Sequence, residues 1–177
     1  MTADEGARRL LLRSFRWNGG HADFAPVFLD PDVLAALGPA LAAPFRDAAV
    51  TAVVALEARG FVLGALAARE LGLGLVLARK PGSMHPGADT ELGTEPDWRG
   101  RLIDVRISRT AIRPGDRLLL VDDWIQTGSQ ARTVSRLVHR LGGSLVGVSV
   151  LVDDTTDSVR RDLGVVSVVR SSDLRDP

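Results

Sequence analysis

Cysteine is absent from the 177 residues, and so is tyrosine. Without thiols there is no disulfide framework, no cysteine nucleophile and no sulfur-ligated metal cluster. An excess of either charge is also lacking: 22 basic and 22 acidic residues give a formal net charge of zero, and the two signs are mixed along the chain. A nucleic-acid or membrane-binding face built on bulk positive charge is therefore not expected. No apolar run approaches the roughly 20 residues of a membrane span. The opening stretch MTADEGARRLLLRSF has no uninterrupted apolar core of signal-peptide length. The expectation is a cytoplasmic protein with neither nucleic acid nor membrane as partner. Internal repeats and low-complexity tracts are missing. Lysine is nearly missing: Lys80 is the sole one, and the other cations are all arginine.

What is present is an ordinary globular composition, 45% hydrophobic, in a chain long enough for one domain with a sizeable core. The organising stretch is Arg117 to Gln130, RLLLVDDWIQTGSQ. Leu118 to Val121 is an apolar run of the length of a strand buried on both faces. Asp122 and Asp123 stand where it ends, and a small turn follows with Thr127, Gly128, Ser129 and Gln130. A helix then repeats apolar residues at Val134, Leu137, Val138 and Leu141. A turn leading into a helix N-terminus offers free N–H groups and the positive end of the helix dipole to an anion. Acids beside it cannot bind phosphate, but they suit vicinal hydroxyls or a metal. The pattern therefore reads as a sugar-phosphate site, although acids after a buried strand also occur as plain solvated strand ends.

The rest of the chain alternates strands and helices. Residues 1 to 14 read as a frayed tail, and Phe15 to Phe28 as loop. Asp30 and Pro31 open a helix running through Val33, Leu34, Leu37 and Leu41. Val50 to Leu56 reads as a buried strand, followed by Glu57 to Phe61, a helix closed by Gly72, and a strand over Leu75 to Ala78. Strand, helix and strand in this order form a parallel crossover unit. Glu57, Arg59, Arg79, Lys80, Asp122 and Asp123 all fall at carboxyl ends of strands, where open α/β sheets place their ligands. Lys80 offers a compact point charge suited to a phosphate. Ser83 to Arg101 shows no period and is too long for a simple connection, so it reads as a functional loop. Leu102 to Ile107, Leu145 to Val152 and Val165 to Val169 read as further strands, with a short helix over Ser158 to Leu163. Residues 171 to 177 read as a tail.

VDDWIQTGSQ resembles the phosphoribosyl diphosphate signature of type I phosphoribosyltransferases. The usual ending is Thr-Gly-Gly-Thr; here it is Thr127-Gly128-Ser129-Gln130. Glu57-Ala58-Arg59-Gly60-Phe61, Glu70-Leu71-Gly72-Leu73-Gly74 and Arg79-Lys80-Pro81-Gly82 are similar to segments of the adenine phosphoribosyltransferase family, and so are Pro26 to Pro31 and Ile112 to Asp116. The resemblance covers roughly residues 15 to 155. It implies an α/β fold of the type I phosphoribosyltransferase kind: a mostly parallel central sheet flanked by helices, a small N-terminal hood over residues 15–48 and a mobile loop, in a single domain spanning 15–170. It implies that Ala58, Arg59 and Gly60 bind pyrophosphate with help from Arg79 and Lys80. Asp122 and Asp123 hold the ribose hydroxyls, directly or through Mg²⁺ and its waters. Gln126, Thr127, Gly128, Ser129 and Gln130 take the 5′-phosphate. Asp122, Asp123 and Arg59 are the catalytic candidates, Mg²⁺ is the cofactor, and a homodimer is the implied assembly.

The departures cluster at the base end. The family's Phe-Arg-Asp-Ile segment is His21-Ala22-Asp23-Phe24 here. Trp98-Arg99-Gly100 stands where the family carries a tyrosine, and Ser83 replaces a lysine. His21, Asp23 and Phe24, together with the 83–101 loop, are thus expected to enclose a purine-like base, with adenine held in an unusual way and used poorly. The resemblance predicts an enzyme transferring a phosphoribosyl group from phosphoribosyl diphosphate to that base. The alternative is a regulatory protein that binds the sugar diphosphate without chemistry.

Overall fold

The computed structural model describes residues 3–80, 90–93 and 104–174. Helix α1 (Ala3–Ser14) leads into a hairpin of β1 (Arg16–Asn18) and β2 (His21–Asp23). Then come α2 (Ala25–Leu29), α3 (Pro31–Ala42), β3 (Ala52–Leu56), α4 (Arg59–Leu71) and β4 (Gly74–Ala78). Two short strands follow, β5 (Thr90–Gly93) and β6 (Asp104–Ile107), and after them β7 (Arg117–Ile125), α5 (Ser129–Arg140), β8 (Ser144–Asp153), α6 (Asp157–Leu163) and β9 (Val165–Arg170). The central sheet runs β4-β3-β7-β8-β9 with every pair parallel. β5 and β6 form a separate antiparallel pair, so the stretch 83–101 contains a strand where only loop was expected.

The two faces of the sheet carry the two cores. Side chains alternate along a strand. Leu119 and Val121 enter a cluster with α1, α3 and α4, while Leu118 and Leu120 enter one with α5 and β6. Burial on both faces explains the unbroken apolar run. Helix α4 reaches β3 closely because Gly64 has no side chain: a Cβ there would lie 2.5 Å from Ala55 Cβ.

Residues 3–14 and 171–174 are ordered against the core, where the sequence suggested tail. In α1, Ala7 and Leu11 are fully buried, and the helix packs on α3 and β9. A 3-10 turn over Ser171–Asp173 brings Leu174 into the same core, and Arg8 pairs with Asp173 at 3.2 Å. Phe15 to Phe28 is likewise regular rather than loop. Gly19 and Gly20, with φ of 56° and 76°, supply the two positive φ values of a tight hairpin turn. Flanking strands of three residues are too short to show alternation in the sequence.

Candidate active site

The site forms where β7 outruns its neighbour. β3 pairs with β7 only as far as Ala55 opposite Val121, whereas β8 accompanies it through Ile125 opposite Asp153. Asp122 and Asp123 therefore lie within the strand, hydrogen-bonded on one side only, and not beyond its end as the apolar run implied. The space beside them is occupied by the segment after β3. Glu57 and Ala58 are joined by a cis peptide, and Arg59 and Gly60 open α4. Gly60 makes this approach possible: a Cβ would stand 2.8 Å from Asp122 Oδ1 and 3.2 Å from the Val121 carbonyl oxygen.

Two helix N-termini face the acids. Ala58 caps α4 and Gly128 caps α5, and neither cap has a side-chain hydrogen bond to the first turn. Uncapped first turns leave N–H donors for an anion. In α5 one of them, the Ser129 N–H, is weakly engaged by Thr127 Oγ1 at 3.3 Å. Gly128 has φ of 74°, and a Cβ on it would meet Leu163 and Val159 at 2.8 and 2.9 Å, so this turn must be glycine. Between the two N-termini lies a cleft of about 820 Å³. It brings together Ala58, Arg59, Lys80, Asp122, Asp123 and the whole of Gln126 to Gln130, with His21 on the hood side.

Two adjacent acids and two cations set the electrostatics of the cleft. Burial, and after it the charge of Asp123, push the Asp122 carboxyl well above the usual carboxylate range; the Asp123 N–H and the Lys80 charge oppose this. Arg59 Nε lies 2.5 Å from Asp123 Oδ2, an ion pair whose geometry does not make a hydrogen bond. The Arg59 guanidinium also rests 5.0 Å over the Phe24 ring. Lys80 is oriented by its own N–H, which donates to Glu57 Oε2 at 2.9 Å. Among the described residues no group of three or more His, Cys, Asp and Glu side chains could hold a metal. Two adjacent carboxylates fit a hard cation only where substrate oxygens and water complete the shell, which is how Mg²⁺ is commonly held.

Four sequence candidates fall outside the cleft lining. Gly60 instead gives α4 its close approach to Asp122. Asp23 Oδ1 accepts from the Ala25 N–H at 2.9 Å and so serves the start of α2. Phe24 is buried among Phe15 and Phe28 and lies beneath Arg59. Arg79 lies over the Phe61 ring and bridges to Arg106 through its backbone. The part of the 83–101 loop expected to cover the base lies outside the described residues, apart from β5. Trp17, Trp124 and Asp154 also line the cleft. Trp17 and Trp124 meet edge to face at 6.1 Å on the hood side. Asp154 stands next to Gln126; nothing in the linear sequence pairs two residues 28 apart.

Comparison with known proteins agrees with this geometry. The sequence profile of the phosphoribosyl transferase domain matches residues 31–174. The chain is 44% identical to adenine phosphoribosyltransferase of Myxococcus xanthus over 131 residues, covering 73% of this chain and 69% of the relative. It is 36% identical to the Streptomyces coelicolor enzyme of the same name over 160 residues, 86% of each. The crystal structure of adenine phosphoribosyltransferase from Rhodothermus marinus superposes with a TM-score of 0.77 at 32% identity, covering 93% of this chain and 98% of that one. With both halves of the site and most of the chain's length in register, the chain belongs to the phosphoribosyl transferase domain family.

Proposed function

We propose that this chain transfers the phosphoribosyl group of phosphoribosyl diphosphate to a purine-like base, adenine being the first candidate, with release of pyrophosphate. The observation that carries this reading is the single cleft with two uncapped helix N-termini on either side of paired acids. One N-terminus, with Arg59 and Lys80, takes the pyrophosphate; the other, at 126–130, takes the 5′-phosphate. Asp122 and Asp123 then lie against the ribose between them. Relatives named adenine phosphoribosyltransferase support the same reaction.

The chemistry needs no protein nucleophile. A base nitrogen attacks the anomeric carbon as the bond to pyrophosphate breaks, and the ribose passes through a state with oxocarbenium character. Both phosphate ends are held, so the residues contribute mainly orientation and fixed charge. Asp122 and Asp123 place negative charge near the developing cation and accept the vicinal hydroxyls. Arg59 must leave Asp123 to meet the pyrophosphate, and Lys80 stands ready on the same side. Asp122 and Asp123 would hold Mg²⁺, which would supply neutralisation of the leaving group's charge. At the base end Trp17 and Trp124 offer aromatic surface and His21 a polar edge; Ala22 stands where the family carries an arginine, so the base is recognised by other groups.

Pyrophosphate release from phosphoribosyl diphosphate, measured with and without Mg²⁺ over adenine, hypoxanthine and guanine, tests the reading. Turnover with a purine is expected to require Mg²⁺, and Arg59→Ala is expected to weaken phosphoribosyl diphosphate binding more than Lys80→Ala. A folded protein that binds the sugar diphosphate yet turns over no base overturns it.

A further inference from the structure

The cleft carries an acid where a phosphate site has no evident use for one. Asp154 follows the last residue of β8 and lines the cleft beside Gln126. Its N–H and both carboxylate oxygens are tied. Its N–H donates to the Ile125 carbonyl oxygen at 2.8 Å. Gln126 Nε2 donates to its Oδ2 at 3.0 Å, and Ser171 Oγ donates to its Oδ1 at 2.5 Å. The base on which it stands is itself fixed. The preceding Asp153 is 1% exposed and pairs with Arg160 at 2.6 Å and Arg170 at 3.4 Å.

We infer that Asp154 is a positioning residue for the 5′-phosphate loop, acting through Gln126. The inference rests on the phosphoribosyl diphosphate reading of the cleft. A turn of the type 126–130 binds phosphate by its backbone N–H groups, and its affinity depends on how rigidly those groups are held before the ligand arrives. Gln126 is exposed at the first residue of this turn, and its amide is anchored to Asp154. Ser171 anchors Asp154 in turn to the 3-10 segment after β9. The loop is thereby tied to the segment that follows β9. The same two hydrogen bonds hold the Asp154 carboxylate and keep its charge engaged. On that reading the contact serves the 5′-phosphate turn, so its loss is read in sugar-diphosphate affinity and not in the chemical step.

The experiment measures phosphoribosyl diphosphate binding by calorimetry and, where turnover is seen, the KM of each substrate and kcat. Asp154→Ala and Gln126→Ala are each expected to weaken phosphoribosyl diphosphate binding by about tenfold; for Asp154→Ala, base KM and kcat are expected to change little. The double variant is expected to be no weaker than either single one, because both remove the same contact. Asp154→Asn keeps an acceptor for Gln126 and should stay near wild type. Unchanged affinity in Asp154→Ala, or losses that add in the double variant, overturns the inference. Tighter binding in both Asp154→Ala and Asp154→Asn also overturns it, since the acid would then act only as a repelling charge. A lowered Tm with unchanged affinity assigns Asp154 a purely structural role and overturns it as well. Wild-type binding without turnover on any base overturns the transferase reading while leaving this comparison readable.

Discussion

At Asp122 burial and a neighbouring charge act in the same direction. Both favour the neutral carboxyl, so the folded value lies above the ordinary 3.8. The sign for stability follows from linkage. Below the unfolded value both states are protonated and the contribution is complete. As pH rises toward the folded value, the unfolded chain gives up its proton first, and stability falls. In metal-free, ligand-free protein, Tm is therefore expected to decline from about pH 4 upward by a component that Asp122→Asn removes. Matching pH profiles for the two proteins would show that Asp122 does not carry it. Gly60 is the second decisive residue. Gly60→Ala puts a methyl 2.8 Å from Asp122 Oδ1, and relief of that overlap costs about 1–3 kcal/mol. Its effect is expected as lost phosphoribosyl diphosphate affinity in calorimetry, because α4 must withdraw from the acids to make room.

Among the elements, α1 differs most from its sequence reading. Ala7 and Leu11 recur at helical spacing, yet a stretch rich in arginine and acid, containing Gly6, resembles a solvated terminus. Its partners, α3, β9 and the turn at Leu174, come from distant parts of the chain, so the burial that stabilises it has no local signature. Leu11→Ala should cost about 2–5 kcal/mol in denaturant unfolding, with phosphoribosyl diphosphate affinity unchanged because α1 does not line the cleft. A neutral substitution would mean that the helix is dispensable to the core. The β1–β2 hairpin was hidden for a different reason: three-residue strands carry no measurable period, and only the Gly19-Gly20 pair marked the turn. By contrast, β3, β4, α5, β8, α6 and β9 were legible within a residue or two. Most of them repeat apolar residues on a fixed period, and each is bounded by glycine, proline or a polar turn.

For the molecule as a whole, parallel strands align their carboxyl ends, so strand ends spread along the chain become one site. That much the sequence determined by itself: strand, acids, small turn and helix, repeated in kind at Glu57 to Phe61, define an α/β fold and a phosphate-binding cleft through local patterns alone. Tertiary structure decided the rest. It decided that Asp122 and Asp123 lie inside β7, because β8 outlasts β3 beside it. It turned Asp23 to the start of α2 and put Phe24 under Arg59, and it joined Gln126 to Asp154 across two strand ends. Such facts depend on register and on contacts between residues far apart in sequence. Hydrophobic period and turn chemistry are properties of neighbouring residues and can be read along the chain, whereas the partner of a polar side chain is fixed only when the sheet has brought the two together.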